Sequence, residues 1–515
     1  MTEKNRQPVS DVRLGQVKLY PTSLGDTWDP AWAEDGNLYY PGNDGSGWDK
    51  ACSSNVFFNR SGGDDPFNLK SQTVNGMEEY DGGGQQREDG CTWKSSGCIS
   101  LDGTLYLALG RHAYGTKSGD PHMRQTARRT SIIKSTDHGM SWVRSAQENY
   151  HHPMFENDFT TPYFIYYGQD GKTPEVDGAD RYVYAISNNG FWCNGDFYVL
   201  GRIERSKMSR LDPADWTYYQ GGDGSRDENW TCDPAAARPV IENPLKCGET
   251  GATYLPALGR YILVAWYYPG DPNVDADESR LIFYEAPHPW GPWAMIKEED
   301  TVPQGWYCPR VLAKWQTGQA DQLNTILVAS GDYYEMGQYY RFIVAELAME
   351  AGGSFPTEPP DPQPQVIAST DPEVLYSGAW QRITGRDPSY SKTVTQTPTF
   401  SQRCATQGIE YYAEAEGAAL TIHFNGTRLA WYASKENNLG IAAVSIDGGP
   451  ESEVDLWTYC HVPQYQRLMF DSGPLAPGEH DFKVRVTGKK NEKSTGSGIF
   501  HDRVDIFSNK GVTSI

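Results

Sequence analysis

Five times between residues 27 and 315 the chain restates one pattern: a polar or aromatic opening, an apolar strand, a tight turn carrying Gly, then an aromatic-rich return strand. Its copies are TWDPAWAEDGNLYYPG near residue 27, TWKSSGCISLDGTLYLALG near 92, NDFTTPYFIYYGQDG near 157, GETGATYLPALGRYILVAWY near 248 and GWYCPRVLAKW near 305. A unit that cannot bury its apolar face alone must stack on its neighbours, so this recurrence constrains the fold more than any single motif does. The spacings are longer than the roughly 40 to 50 residues of small propeller repeats. They predict a five-bladed β-propeller with long loops, its third blade the most decorated.

Composition points the same way. Gly 53, Tyr 32 and Trp 16 stand beside only 38% hydrophobic residues, so the interior is built from aromatic and β-branched side chains between many turns: an all-β protein. The stretch STDHGMSW, Ser135 to Trp142, matches the Asp-box pattern S-x-D-x-G-x-T-W with Ser141 in place of Thr. Its Asp is expected to accept backbone N–H bonds in a hairpin turn while its Trp packs between strands, a structural role. Helix is scarce. RSKMSRLDPADW has room for a turn or two, and YRFIVAELAME reads as either helix or strand.

Prolines crowd and apolar periodicity stops in AGGSFPTEPPDPQPQVIASTDP, which divides the chain into a propeller over 1–350, a linker over 351–372 and a second domain over 373–515. In that second domain apolar residues alternate at Leu420, Ile422 and Phe424, at Val444 and Ile446, and at Phe482, Val484 and Val486. Half-buried antiparallel strands follow, in a β-sandwich or jelly roll.

The formal charge of -22 repels phosphate backbones and anionic lipids, which excludes nucleic acid and membrane as expected partners. The opening MTEKNRQPVSDVRLG has neither an apolar core nor a small-residue cleavage site. The sequons at Asn59, Asn229 and Asn425 lean the expected location toward extracellular. Nine scattered Cys without a CxxC pair argue against a thiolate metal site. No cofactor is required, although oxygen ligands leave room for a structural calcium ion in the propeller axis. Oligomeric state is not legible.

The innermost strand of each propeller blade lines a shared funnel, so residues near the start of every repeat converge. The catalytic candidates are Asp26, Asp44, Asp158 and Glu249; Trp28, Asp29, Lys94, Arg111, His112 and Arg310 are the substrate-binding candidates. Several carboxylates among aromatic rings suit glycosidic cleavage, which needs one protonated carboxyl as acid and one ionised partner as base or nucleophile. The same residues have structural readings: Asp26 as a turn cap, Asp29 as a turn residue before Pro30, Lys94 and Arg310 as counter-ions to buried acids.

LGDTWDPAWAEDGNLYY, GETGATYLPALGRYIL, SRLIFYEAPHPWGPW and GWYCP, over about residues 15 to 350, resemble a propeller group long catalogued only as a domain of unknown function. Its characterised members include the endo-D-arabinanases of glycoside hydrolase family 183. The resemblance implies a five-bladed propeller that hydrolyses a furanosidic or related bond with paired acids, here Asp26 and Asp44. YSGAWQRITGRDPSYSK, FNGTRLAWYASKENNLGIAAVSIDGG and HDRVDIF resemble the jelly-roll modules appended to many glycoside hydrolases. Such modules are commonly carbohydrate-binding, with Trp431, Tyr432 and Trp457 as stacking candidates or core residues. The expected function is a glycoside hydrolase acting on a polysaccharide or its side chains. The rivals are a polysaccharide lyase, using Lys94, Arg111 or Arg310 against a uronate, and a non-catalytic lectin.

Overall fold

The structure, a computed structural model, describes residues 8–80, 89–113, 125–156, 159–172, 176, 178–268, 279–302, 305–319, 322–331, 340–352, 364–384, 405–436, 438–457, 464–492 and 494–508. It divides into two compact units, Met1–Phe355 and Pro356–Ile515. Both are nearly all β.

Among the described residues the first unit holds five antiparallel sheets, and each sequence repeat opens its own. Their first strands are Ser23–Asp26, Thr92–Leu101, Tyr163–Phe164, Ala252–Leu255 and Tyr307–Gln319, each at one end of its sheet's hydrogen-bonded order. The third sheet is the largest, with six strands. The fifth is completed by the N-terminal strand Val9–Leu19, which pairs with Phe342–Ala351. The segment YRFIVAELAME is therefore strand. RSKMSRLDPADW forms two short 3-10 turns, Arg205–Arg210 and Pro213–Asp215.

Contacts between successive sheets run round the whole set. Asp29 Oδ2 accepts from Cys98 N (2.7 Å), Gly97 N donates to Pro162 O (3.0 Å), Tyr166 N donates to Ala252 O (3.0 Å), Thr253 Oγ1 donates to Val311 O (2.6 Å), and Thr27 N donates to Ser330 Oγ (2.8 Å), which returns to the first sheet. The packing has the same logic. In Arg260–Tyr267, Leu263 and Ala265 enter a core shared with Ile186 and Leu200 of the third sheet, while Ile262, Val264 and Trp266 enter one shared with Leu327 and Ile343 of the fifth. A strand buried on both faces has to be apolar throughout, which is why YILVAW lacks alternation. The Asp-box turn behaves as a staple: Asp137 accepts from Ser141 N (2.9 Å), and Trp142 meets Phe58 of the first sheet edge-on at 4.9 Å.

Among the described residues the second unit holds sheets of five, four and three strands over one core that includes Leu420, Ile422, Trp431, Phe482 and Val484. Gln365–Ala368, expected within the linker, pairs instead with Arg503–Phe507 as an edge strand. Its apolar Ile367 and Ala368 are buried, and that burial places the strand in the domain. Residues 353–363 of the expected linker lie outside the described residues.

Candidate active site

Asp26 ends the first strand of the first sheet. Gly25 before it and Thr27 after it both have positive φ, 142° and 52°. A β-branched residue in the left-handed region is strained and persists only where its surroundings hold it. Here they do. Thr27 donates its N–H to Ser330 Oγ and its hydroxyl to Asp26 Oδ1 (3.2 Å), and it accepts from the Asn43 amide. Asn43, paired opposite Asp26, in turn accepts from Ser95 N and Ser95 Oγ at 3.0 Å each.

Around the Asp26 carboxyl the structure gathers groups from all five sheets. Tyr307 donates to Asp26 Oδ2 at 3.0 Å, and Tyr340 faces the same carboxyl. Asp44, itself left-handed (φ 49°), is ion-paired with Lys94 of the second sheet and raises the proton affinity of Asp26 by its charge. Glu249, just before the fourth sheet, feels the charge of Asp26 and accepts from Tyr163 of the third at 3.2 Å. Its backbone is clamped by Trp192 O (3.0 Å) and Trp266 Nε1 (2.8 Å). Two residues on, Gly251 lies so close to the Arg310 guanidinium that no side chain would fit there.

Burial and like charge set the protonation of this cluster. Asp26, 6% exposed, is pushed up to about 7, first by desolvation and then by Asp44. Glu249, 4% exposed, is pushed up to about 8, again chiefly by desolvation. Lys94 opposes the rise at Asp26. His112, buried beside the Lys94 charge, is driven down to about 4, so its ring is neutral, with Nε2 set 2.5 Å from Gln125 Oε1.

Asp26, Asp44, Glu249, Lys94 and His112 therefore belong to one interacting cluster. Four other expected substrate contacts have partners inside the protein. Trp28, 1% exposed, packs edge-on against Tyr40, Phe57 and Phe342, because the apolar indole gains more in this aromatic core than at a wet surface. Asp29 and Arg310, both 1% exposed, form an ion pair (3.0 Å), with the guanidinium 3.7 Å over the Tyr166 ring. Arg111 is held in a fork by Asp89 (3.1 and 3.2 Å) over Trp93. Each of these charged groups has an internal ion-pair partner. Asp158 lies outside the described residues. The phenols of Tyr163, Tyr307 and Tyr340 were not anticipated. With 32 Tyr in the chain, residue type marks no single one, and only the position of Tyr307 in the repeat opening GWYCP hinted at it.

In the second unit Trp431 is fully buried and donates to His501 Nδ1 (3.0 Å), which removes it from the stacking candidates. Tyr432 lies under the Arg503 guanidinium at 4.2 Å. Among the described residues no group of three or more His, Cys, Asp and Glu is arranged to hold a metal. No helix among them is long and apolar enough to cross a membrane.

The model of a family described as "Domain of unknown function (DUF4185)" matches residues 18–338. Among curated proteins the chain is similar to two from Flavonifractor plautii. One is an A type blood N-acetyl-alpha-D-galactosamine deacetylase, 27% identical over 140 residues, and the other an A type blood alpha-D-galactosamine galactosaminidase, 23% identical over 128 residues. These matches cover 27% and 25% of this chain but only 15% and 10% of the relatives' own lengths. Among solved structures, the exo-beta-1,3-galactanase of Phanerochaete chrysosporium is 10% identical, with a TM-score of 0.37 over 96% of this chain and 100% of that one.

Proposed function

The chain belongs to the DUF4185 family, and we propose that it is a glycoside hydrolase whose five N-terminal sheets are the blades of a propeller and whose chemistry runs on the carboxyls gathered at Asp26. One observation carries this reading: Asp26 and Asp44 of the first sheet and Glu249 at the start of the fourth meet electrically at Asp26, with Asp26 and Glu249 pushed into the neutral range. A glycosidase needs that asymmetry. Asp26, protonated near neutrality and oriented by the Tyr307 phenol, gives its proton to the leaving oxygen. Asp44, the most exposed of the three and paired with Lys94, supplies the anionic partner as base or nucleophile. Glu249, which feels the charge of Asp26, is a second proton reservoir.

The names of the Flavonifractor relatives support carbohydrate hydrolysis in general. The resemblance to family 183 supports a furanosidic bond, in a polysaccharide or its side chains. The sheets of the C-terminal unit are read as a β-sandwich carbohydrate-binding-like module. The engagement of Arg111 and Arg310 by Asp89 and Asp29 weighs against a lyase, which needs a cation facing a uronate.

A panel of polysaccharides with mass analysis of products tests the reading. Hydrolysis releases reducing ends without absorbance near 235 nm. Unsaturated products would replace this mechanism with elimination, and silence across the panel would leave a lectin.

A further inference from the structure

The hydroxyl of Thr27 stands in a hydrogen-bond chain that can run in one sense only. The chain starts at the backbone of Ser95, on the first strand of the second sheet, Thr92–Leu101. Ser95 N donates to Asn43 Oδ1 at 3.0 Å, and a backbone N–H can only donate, so the amide atom it meets is the oxygen. The Ser95 hydroxyl donates to the same oxygen at 3.0 Å. The Asn43 nitrogen, a pure donor, then faces Ser95 O at 3.4 Å and Thr27 Oγ1. Thr27 Oγ1 accepts there and has its own proton left to give. It gives it to Asp26 Oδ1, 3.2 Å away. Ser95, Asn43, Thr27 and Asp26 are all buried, which keeps the chain out of bulk water.

The backbone points the same way. Thr27 has a φ of 52°, where a β-branched residue is strained and glycine is not. What threonine adds at that position is the hydroxyl.

The two oxygens of Asp26 are therefore unlike. Oδ1 faces a hydroxyl fixed as a donor. Oδ2 faces the Tyr307 phenol at 3.0 Å, and a phenol can turn to give a hydrogen bond or to take one. We propose that Thr27 is a positioning residue that keeps Asp26 Oδ1 an acceptor, so that Asp26 gains and loses its proton at Oδ2. Asn43 enforces that role from the position before Asp44, so the strand Leu38–Trp48 that carries one acid also orients the other. The catalytic consequence rests on the reading of Asp26 as the proton donor: the leaving oxygen then lies on the Oδ2 side. The placement of the proton itself rests only on the hydrogen bonds above.

Carbon-13 spectroscopy of the full chain, labelled at its aspartate carboxyls, tests the placement, with the Asp26 signal identified by its loss in Asp26→Asn. The sign of the change decides. A donor to a carboxylate favours the charged form, so removing the hydroxyl with the isosteric Thr27→Val should move the Asp26 titration upward by about one pH unit. Thr27→Ser, which keeps the hydroxyl, should stay with the wild type. Asp44, Lys94, Tyr307 and Tyr340 also act on Asp26, and Glu249 feels its charge; all five are unchanged in these chains. A downward move in Thr27→Val would mean that Thr27 takes a hydrogen bond from a proton on Oδ1, and an unmoved titration that the hydroxyl plays no part. Either result overturns the proposal, as does a Thr27→Ser chain that titrates like Thr27→Val. If Thr27→Val does not fold, Thr27→Gly carries the same test, because left-handed backbone suits glycine. On the polysaccharide that the wild-type chain cleaves, the basic limb of turnover in Thr27→Val should follow the titration upward while turnover falls about tenfold. A titration that rises without moving that limb keeps the proton placement and removes Asp26 as the donor to the leaving group.

Discussion

Asp26 and Asp29 stand three residues apart in the segment GDTWDP, both buried in the first sheet, and the structure gives them opposite surroundings. Asp29 meets a guanidinium, a backbone N–H and a ring-covered wall, which oppose the rise that burial gives its proton affinity. Asp26 meets two phenols, a second Asp and, through space, a Glu and the Lys94 cation that is paired with Asp44. Burial is common to both and so does not mark function. Burial raises the proton affinity of both; what separates them is that the ion pair to Arg310 opposes the rise at Asp29, whereas at Asp26 the charge of Asp44 adds to it and Lys94 only offsets it.

Substitutions can break that contrast. Asp26→Asn and Asp44→Asn should each lower turnover about a thousandfold, the range of general acid–base catalysis, with folding intact by circular dichroism. Retained activity in both would remove them from the mechanism. Arg310→Met should do the reverse. It strands Asp29 in the core and lowers unfolding free energy by about 3 to 5 kcal/mol in denaturant titration, and any loss of activity should track the unfolded fraction.

A pH series sharpens the comparison further. Asp26 rises from 3.8 to about 7 on folding and Glu249 from 4.5 to about 8. Between the unfolded and folded values the native chain holds protons that the unfolded chain has lost. Their stabilisation is thus complete below about pH 4 and is lost as pH climbs through 7 and 8. The first unit should lose stability over that window, and Asp26→Asn should flatten the slope. Turnover should fall above about pH 7 as Asp26 loses the proton it donates. The smallest effect belongs to the staple: Asp137→Ala should cost about 1 kcal/mol of stability, through the turn bonds to Ser141, and leave turnover unchanged.

Proximity at the candidate site was legible where repeats bring equivalent positions together. Asp26, Lys94 and Glu249 were singled out as residues at repeat openings, and they do interact. Trp28, Asp29, Arg111 and Arg310 satisfied the same rule and turned inward, since a repeat opening specifies a strand end but not which way each side chain faces. At Thr27, Asp44 and Cys308 the left-handed backbone, with φ of 52°, 49° and 47°, breaks the two-residue alternation from which facing is read. The three phenols were hidden by the abundance of Tyr. The edge strand Gln365–Ala368 was hidden by the prolines beside it.

The residue order alone determined that this chain is β-rich, that five related units succeed one another before a differently patterned second domain, and that acids recur where those units begin. These are local properties, written in turn chemistry and apolar period. Only the tertiary structure decided which acid faces a cation and which faces another acid. That depends on contacts between residues hundreds of positions apart, such as Asp26 with Tyr307 and Asp29 with Arg310, and a carboxyl's proton affinity is a property of its neighbours rather than of its own place in the chain.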